Sequence, residues 1–362
     1  MSVSPAHAFD ARGCDLAEQV REQYTRYVAF HSDFYDAEAD TLALWAMHTH
    51  AFGAAETTPY LLVTAPTPEA GKSRILDVAQ HLIARPEVVV DPSAASLFRI
   101  IDQERPTVLI DELDQLHKSQ PLRQVLNAGH RRHGGFVPRV ETVDGARVVV
   151  RYNVFCPKIL AGIAGRQLPL TGATLTRCVE IPMQKRKPSE VIDVFSHRAA
   201  RTDCDGIRRA LAEWGEASEP ALMHAQPAMP AELSDRRRDS WEPLMAIAEL
   251  LGRDWPARAA SAAGMLSKRG AAQPDDGTQI IADMYAVWEG FDGARVHTAT
   301  LAALRNQLED RRYSGQLSAH ELSMWLGRFG IHPAPNGFRL GGKLRRGYER
   351  AAFADAFGRY MP

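Results

Sequence analysis

The chain has 362 residues, 45% hydrophobic and 24% charged, with 43 Lys plus Arg against 44 Asp plus Glu. That much apolar side chain excludes a disordered or fibrous protein and is enough for two or three cores at roughly 150 residues per domain. A net charge of −1 gives no global sign of a nucleic-acid binder, so any such sign has to be local.

Residues 1 to about 14 read as a loose arm. Their lack of a basic start and an apolar core speaks against a secretion signal. Two helices are expected next, Asp15 to about His31 and Asp36 to about Phe52, the second carrying Leu42, Leu44, Trp45 and Met47. His48 and His50 in this apolar segment read as core or capping histidines. Tyr60 to Thr64 is a short apolar strand, and the loop after it contains Gly71-Lys72-Ser73. Behind that loop, Ile75, Leu76, Val78, Ala79, Leu82 and Ile83 share one helical face. Strand, loop and helix in that order form the first βα unit of a parallel sheet.

Further strands are expected at 88–90, 107–110, 158–162 and 178–182, with a helix over 94–104 and another over 122–127. Segments 136–141 and 147–152, joined at Asp144-Gly145, read as a hairpin. After Lys187 the β signal stops, and 205–219, 234–251 and 255–268 look helical. Gln273 to Gly277 reads as a linker. Three more helices (about 279–291, 298–310 and 318–329), a Gly-rich stretch with two short strands (332–348) and a closing helix from Arg350 describe a winged helix. The expected division is an N-terminal arm and helix (1–35), an α/β P-loop core with a parallel sheet (36–188), a helical lid (189–275) and a winged helix (276–362).

The chemistry centres on Gly71, Lys72 and Ser73. Where a strand turns into a helix, backbone N–H groups and the helix dipole point at an anion. Lys72 would reach the β and γ phosphates of ATP, and the Ser73 hydroxyl would hold Mg²⁺. Asp111 and Glu112 end the apolar strand 107–110. Asp111 would bind the same Mg²⁺ through water, and Glu112 would polarise the attacking water. The plainer alternative is a capped helix and an acidic turn. Pro66 stands where the usual loop opens with Gly, and its fixed φ and missing N–H demand a different turn.

Residues 129–151 hold five arginines against Glu141 and Asp144, and residues 301–362 hold ten Lys or Arg against five acids. In the first, Arg131, Arg132 and Arg139 would track a phosphate backbone while Phe136 stacks on a base. In the second, Lys343, Arg345 and Arg346 on the wing would make salt-sensitive, sequence-independent contacts. A plain surface hairpin and a protein-binding winged helix are the alternatives. His130 and His133 lack the partners of a zinc site. The four cysteines (Cys14, Cys156, Cys178, Cys204) show no CxxC pair and read as reduced thiols in a cytoplasmic protein.

Several stretches, taken together, resemble the family catalogued as domain of unknown function 3631. They are Thr64 to Ser73, Leu109 to Asp114, Leu126 to Arg132, Phe155 to Ile163, Leu233 to Leu244, Gly252 to Pro256, and Arg346-Gly347-Tyr348 with Phe353 to Phe357. The resemblance extends over about 36–362. It implies an AAA+ or helicase-type ATPase of actinobacterial phages, prophages and plasmids, often joined to primase domains. The same likeness implies an arginine finger at Arg177, or alternatively Arg166, that reaches a neighbour's γ-phosphate. It also implies a nucleotide-sensing arginine at Arg236 or Arg237. A finger in trans implies a homo-oligomeric ring, expected to be a hexamer. The expectation is therefore an ATP-driven DNA helicase or translocase, possible partner of a primase, with no membrane segment. The rivals are a nucleotide-switched DNA-binding assembly factor with little turnover and a small-molecule kinase.

Overall fold

The computed structural model of the chain describes residues 10–30, 33–67, 69–90, 92–113, 120–163, 170–187, 189–271, 276–308, 316–327 and 329–361. It divides into two compact units, Met1–Gly270 and Ala271–Pro362.

In the first unit, α1 (Ala11–Tyr27) and α2 (Tyr35–His50) precede β1 (Tyr60–Ala65). Then come α3 (Lys72–Leu82), β2 (Pro86–Val89), α4 (Ala94–Glu104), β3 (Thr107–Ile110) and α5 (Gln120–Ala128). The hairpin β4 (Phe136–Val143) and β5 (Ala146–Asn153) follows, then β6 (Lys158–Ile163), the single turn α6 (Gly172–Leu175) and β7 (Cys178–Pro182). Helices α7 (His197–Leu222), α8 (Asp235–Leu251) and α9 (Trp255–Ala271) close the unit. Helix α1 begins at Ala11, four residues before the expected Asp15 and inside the arm expected over 1–14, whose first nine residues lie outside the described ones.

Five strands form one parallel sheet in the order β2-β3-β6-β1-β7. Strands β1 and β3 are buried along their whole length, which is why they read as unbroken apolar runs. Alternate side chains serve opposite faces. Leu61, Val63, Leu109, Ile159, Ala161, Val179 and Ile181 meet α1, α2, α3, α7, α8 and α9 in one core. Tyr60, Leu62, Val108, Ile110 and Leu160 meet α4 and α5 in another. Helices α7 to α9, expected as a separate lid, instead share one core with the N-terminal helices. Every residue from Ala37 to Thr49 of α2 is buried, including Glu38, Asp40 and His48, so this helix is enclosed on all sides and its polar groups need internal partners.

Two polar devices fix the helical layer. The Asp40 carboxylate accepts from Arg21 Nε at 2.8 Å and from Arg258 Nε at 2.9 Å and Nη2 at 2.5 Å, tying α1, α2 and α9 together. Its burial means that losing one partner costs more than the pair contributes. In α8, Pro243 has no N–H to offer the carbonyl of Asp239, and the Thr57 hydroxyl donates to that carbonyl at 2.6 Å. His48 is a core residue as expected: its Nε2 lies 2.9 Å from Thr58 Oγ1, and burial pushes the imidazole down to about 3.

The second unit runs α10 (Asp276–Glu289), β8 (Arg295–His297), α11 (Thr298–Asn306), α12 (Ala319–Gly327), β9 (Phe338–Leu340), β10 (Lys343–Arg345), β11 (Gly347–Glu349) and α13 (Ala354–Tyr360). Its own core gathers Ile280, Trp288, Leu301, Leu322, Tyr348 and Phe353. Beneath it, the buried Arg305 Nε donates to Asp283 Oδ2 at 2.8 Å. Ser318 and Glu321 form a reciprocal capping box on α12: the Ser318 amide donates to Glu321 Oε2 at 2.9 Å and the Glu321 amide to Ser318 Oγ at 3.2 Å. Strand β8, which the sequence reading missed, pairs antiparallel with β11, while β9 and β10 form the hairpin. Its turn is Gly341-Gly342, with φ of 58° and 77°. Two left-handed residues make the tight turn that suits strand twist, and glycine supplies them without steric cost.

No helix among the described residues is long and apolar enough to cross a membrane.

Candidate nucleotide-binding site

All five sheet strands are parallel, so their carboxyl ends share one edge, where open α/β sheets receive ligands. The loop after β1 leads to Gly71, whose φ of 87° makes it the left-handed entry to α3. Lys72 is then the first residue of α3, beside free N-terminal amides. The end of β3 brings Asp111 to the same place. Ser73 Oγ donates to Asp111 Oδ2 at 2.8 Å, and the Glu112 amide donates to Asp111 Oδ1 at 2.8 Å. Glu112 is exposed and held at a φ of 54°, a strained conformation for a side chain of its size. The five residues read as one site, far apart in sequence, are brought together here.

A cavity of about 520 Å³ opens beside them. Its walls are Tyr27, Val28 and Ala29 on one side, Gly71 to Arg74 on another, and Met183, Gln184, Arg186 and Ile192 to Phe195 on the third. That volume falls in the range of small-molecule sites. The outer wall is pinned to α1: Arg26 Nε donates to Asp193 Oδ2 at 2.7 Å, the Asp193 amide donates to Arg26 O at 2.9 Å, and Tyr27 meets Phe195 edge to face at 5.2 Å. The Arg74 guanidinium lies 4.6 Å from the Phe195 ring centre. These apolar walls were not legible in the sequence, because residues 27–29 and 183–195 carry no motif.

The other expected site residues lie elsewhere. Arg177 precedes β7 and its carbonyl accepts the amide of Tyr60, the first residue of β1, at 3.2 Å. It is therefore at the amino edge of the sheet, opposite Lys72. At 3.3 Å per residue, six-residue β1 puts about 20 Å between the two edges. Burial, and then the fields of Arg131 and Arg236, hold the Arg177 guanidinium below its ordinary proton affinity. Arg236 is exposed in the first turn of α8. Arg237 is shifted down by burial, against the opposing pull of Glu180 and Cys178 on β7. Among the described residues, no hydrogen bond or ion pair joins Arg236 or Arg237 to Lys72 or Ser73. Arg166 lies outside the described residues.

Arg131 and Arg132 are not on the exposed hairpin. Arg131 Nη2 pairs with Asp239 Oδ2 at 2.5 Å. Arg132 donates to the carbonyls of Ala55 at 2.9 Å and Gly53 at 2.8 Å and lies 5.2 Å from the Phe155 ring centre. The register of β4 and β5 sorts the rest. Val137 and Tyr152 are buried, so Arg139, Glu141 and Val150 share their inward face. Arg139 accordingly sits 5.1 Å from the Phe98 ring centre, and Arg99 pairs with Glu141 at 2.5 Å. The outward face carries Phe136, Pro138, Val140, Val149, Arg147 and Arg151, with Phe136 45% exposed. Arg147 and Arg151 are the outward cations that the sequence reading left out of its candidate contacts. Alternation counted from buried Tyr152 finds them. In the second unit Lys343, Arg345 and Arg346 are all exposed.

Comparison with known proteins follows this geometry. The family described as "Protein of unknown function (DUF3631)" matches residues 182–360. The match starts at the end of β7, so it is shorter than the expected 36–362 and leaves Lys72, Ser73, Asp111, Glu112 and the first hairpin outside. An "Uncharacterized 28.9 kDa protein in xis 5'region" of Saccharopolyspora erythraea is 35% identical over 187 residues, 50% of this chain and 69% of that protein. Among solved structures, "The A form apo structure of NrS-1 C terminal region-CTR" aligns over 96% of this chain and 79% of its own, at 11% identity and a TM-score of 0.46. At that score the likeness assigns neither fold nor role. The relative in Saccharopolyspora erythraea and the matched residues place the chain in the DUF3631 family.

Proposed function

We propose that the chain is an ATP-driven DNA helicase or translocase, acting as an oligomeric ring in the replication of a phage, prophage or plasmid-like element. The observation that carries this is the meeting of Ser73 and Asp111 at the carboxyl edge, 2.8 Å apart, beside a cavity of about 520 Å³. Two oxygen donors next to a helix N-terminus are what Mg²⁺ and a triphosphate require.

In this reading the α3 amides and the Lys72 ammonium bind the β and γ phosphates, and the apolar walls at Tyr27, Val28 and Phe195 take the base. Ser73, and Asp111 through water, would hold Mg²⁺, which when bound neutralises phosphate charge. Glu112, exposed at the same edge, accepts a hydrogen bond from the attacking water and orients it. Arg177, at the opposite edge about 20 Å away, is too far to help within its own subunit, so its contribution requires a neighbour. The reading has a P-loop core of AAA+ type with a C-terminal winged helix. The order α10, β8, α11, α12, β9, β10, with β8 paired to β11, supports the latter. Phe136, Arg147 and Arg151 on one hairpin face, and Lys343, Arg345 and Arg346 on the other hairpin, supply stacking and phosphate contacts to DNA.

One observation favours the assembly-factor reading. Strand β6 lies between β1 and β3 and ends in Ala161, Gly162 and Ile163, none with a polar side chain to sense the γ-phosphate. ATP hydrolysis measured with and without single-stranded DNA separates the two. Turnover that DNA stimulates, and that Lys72→Ala lowers by about 100-fold or more, supports the motor. Background turnover in both proteins, with nucleotide-dependent oligomerisation intact, supports the assembly factor.

A further inference from the structure

Helices α3 and α7 pack side by side in the first unit, and another cavity, of about 300 Å³, opens between them. Gln80 and His81 line it from α3, and Arg201, Asp205 and Arg208 from α7. All five are polar, in contrast to the apolar walls beside Lys72, so this cavity suits a small polar ligand. It is also short of negative charge. Asp205 is the one carboxylate among its lining residues, and it serves two guanidiniums at long range, Arg208 at 3.4 Å and Arg209 at 3.2 Å. Arg201 is exposed and, among the described residues, has no hydrogen bond or ion pair. The neighbouring acids are engaged elsewhere. Asp203 pairs with Arg26 at 2.9 Å, and Asp77 stands 4.0 Å from Arg74.

The charge order along α7 adds to the excess. A helix macrodipole favours acids at the amino end and bases at the carboxyl end. Here the first turn carries Arg198 and no acid, Ser196 makes no side-chain cap bond, and the last turn carries no base. Arg201 and Arg208 follow in the amino half, whereas Glu213, Glu216 and Glu219 lie toward the far end. Helix stability does not explain that order, because it opposes the dipole. On α3, His81 Nε2 lies 3.2 Å from His197 Nδ1, and His197 Nε2 lies 3.8 Å from Asp77 Oδ1. Burial, and then the fields of His197, Arg201 and Arg208, hold the His81 imidazole below its ordinary proton affinity against the pull of Asp77. An anion in the cavity would offset those fields and let His81 charge.

We infer that the cavity between α3 and α7 is a phosphate-binding site, in which Arg201 and Arg208 hold the oxygens and His81 joins as a third donor. It is separate from the cavity beside Lys72 and stands whether or not ATP binds there. Guanidinium is suited to the task, since its fork matches phosphate oxygens and it stays charged. A free phosphate compound and a phosphodiester of a DNA strand present the same oxygens, so the two sources need separate probes.

The test uses the full-length chain with Lys72→Ala, which removes the phosphate contact proposed at the other cavity, and with ¹⁵N-labelled histidine. Inorganic phosphate and a single-stranded oligothymidylate are titrated in separately. The His81 imidazole resonance, assigned with His81→Gln, is expected to move toward the protonated form at neutral pH. Adding Arg201→Ala and Arg208→Ala together should weaken that response at least tenfold, while Arg201→Lys and Arg208→Lys together keep part of it. Arg201→Ala alone should unfold at no lower urea concentration than the parent, since it removes a cation from the amino half of α7, so a lost response is not lost folding. A response to the oligothymidylate that the double alanine variant loses supports the site and assigns it to DNA. A response to inorganic phosphate alone, lost in the same variant, supports the site and assigns it to a free phosphate compound. No response of His81 to either probe, or a response that the double alanine variant keeps in full, overturns the inference.

Discussion

The two hairpins make an instructive pair. Both turn on two left-handed residues, Asp144-Gly145 with φ of 50° and 79° in one, and Gly341-Gly342 in the other. Both lie in segments rich in arginine. In the first, one face is built into the core. Tyr152 is 8% exposed, its ring 4.6 Å from that of Phe98, and the neighbouring arginines are stacked or paired. In the second, everything from Arg339 to Arg346 is exposed. Charge counted along a sequence is therefore not charge offered to a partner. Where alternate side chains are buried, half the cations turn inward and become structural.

The strongest way to break this contrast is by truncation. Tyr152→Ala is expected to cost about 3 kcal/mol, the usual range for an aromatic core residue, while Leu344→Ala, from a 61% exposed side chain, stays within about 0.5 kcal/mol. Urea unfolding of the full chain measures both, and equal losses would end the distinction.

Acidification sharpens it from another side. His48 in the first unit is folded as the neutral form, with its proton affinity depressed to about 3. Its contribution is complete above the unfolded value near 6.5 and is lost as pH falls toward 3. The first unit should weaken below pH 6.5 by up to about 1.4 kcal/mol per pH unit from this group, and His48→Gln should flatten the slope. A slope that His48→Gln leaves unchanged would assign the acid sensitivity to other groups.

The proposed DNA contacts give a third comparison. Replacing Arg147 and Arg151 together should reduce the salt slope of single-strand binding by about 1.4, as should replacing Lys343 and Arg345. Arg139→Ala should leave the slope intact and lower stability instead. Fluorescence anisotropy across a salt series reads the slopes, and a drop with Arg139→Ala would put that residue back on the binding face.

The smallest effect is at the turns. Gly145 and Gly342 have φ of 79° and 77°, with nothing within 4 Å of an added Cβ, so alanine there meets only conformational strain. Both changes should cost about 1 kcal/mol, equal in spite of the different surroundings.

Periodicity made most of the fold legible. Strand 107–110 and helix 94–104 were read to the residue, because each is a buried run or a clean amphipathic face between turn signals. The meeting of the loop serine with the strand-ending aspartate is legible because both follow the carboxyl ends of strands in one parallel sheet. Other features depend on tertiary packing. Strand β8 is three residues long and exists because β11 pairs with it. The merging of α7 to α9 with α1 and α2 depends on burial such as that of Trp241 and Trp255, which a lid could equally have used. The inward turn of Arg139 depends on register, and the pairing of Arg131 on where Asp239 of α8 meets the turn after α5. Neither leaves a trace in local pattern.

The hydroxyl that Thr57 lends to the carbonyl of Asp239 makes two distant positions mutually dependent. With Pro243 present, Thr57→Ala strands a carbonyl at about 1–3 kcal/mol. With Pro243→Ala the amide returns, the carbonyl is satisfied within the helix, and Thr57 becomes dispensable. The two substitutions together should therefore be milder than their sum. A lineage could shed the proline freely but could not shed the threonine first, so the order of changes at these positions is constrained by one missing hydrogen.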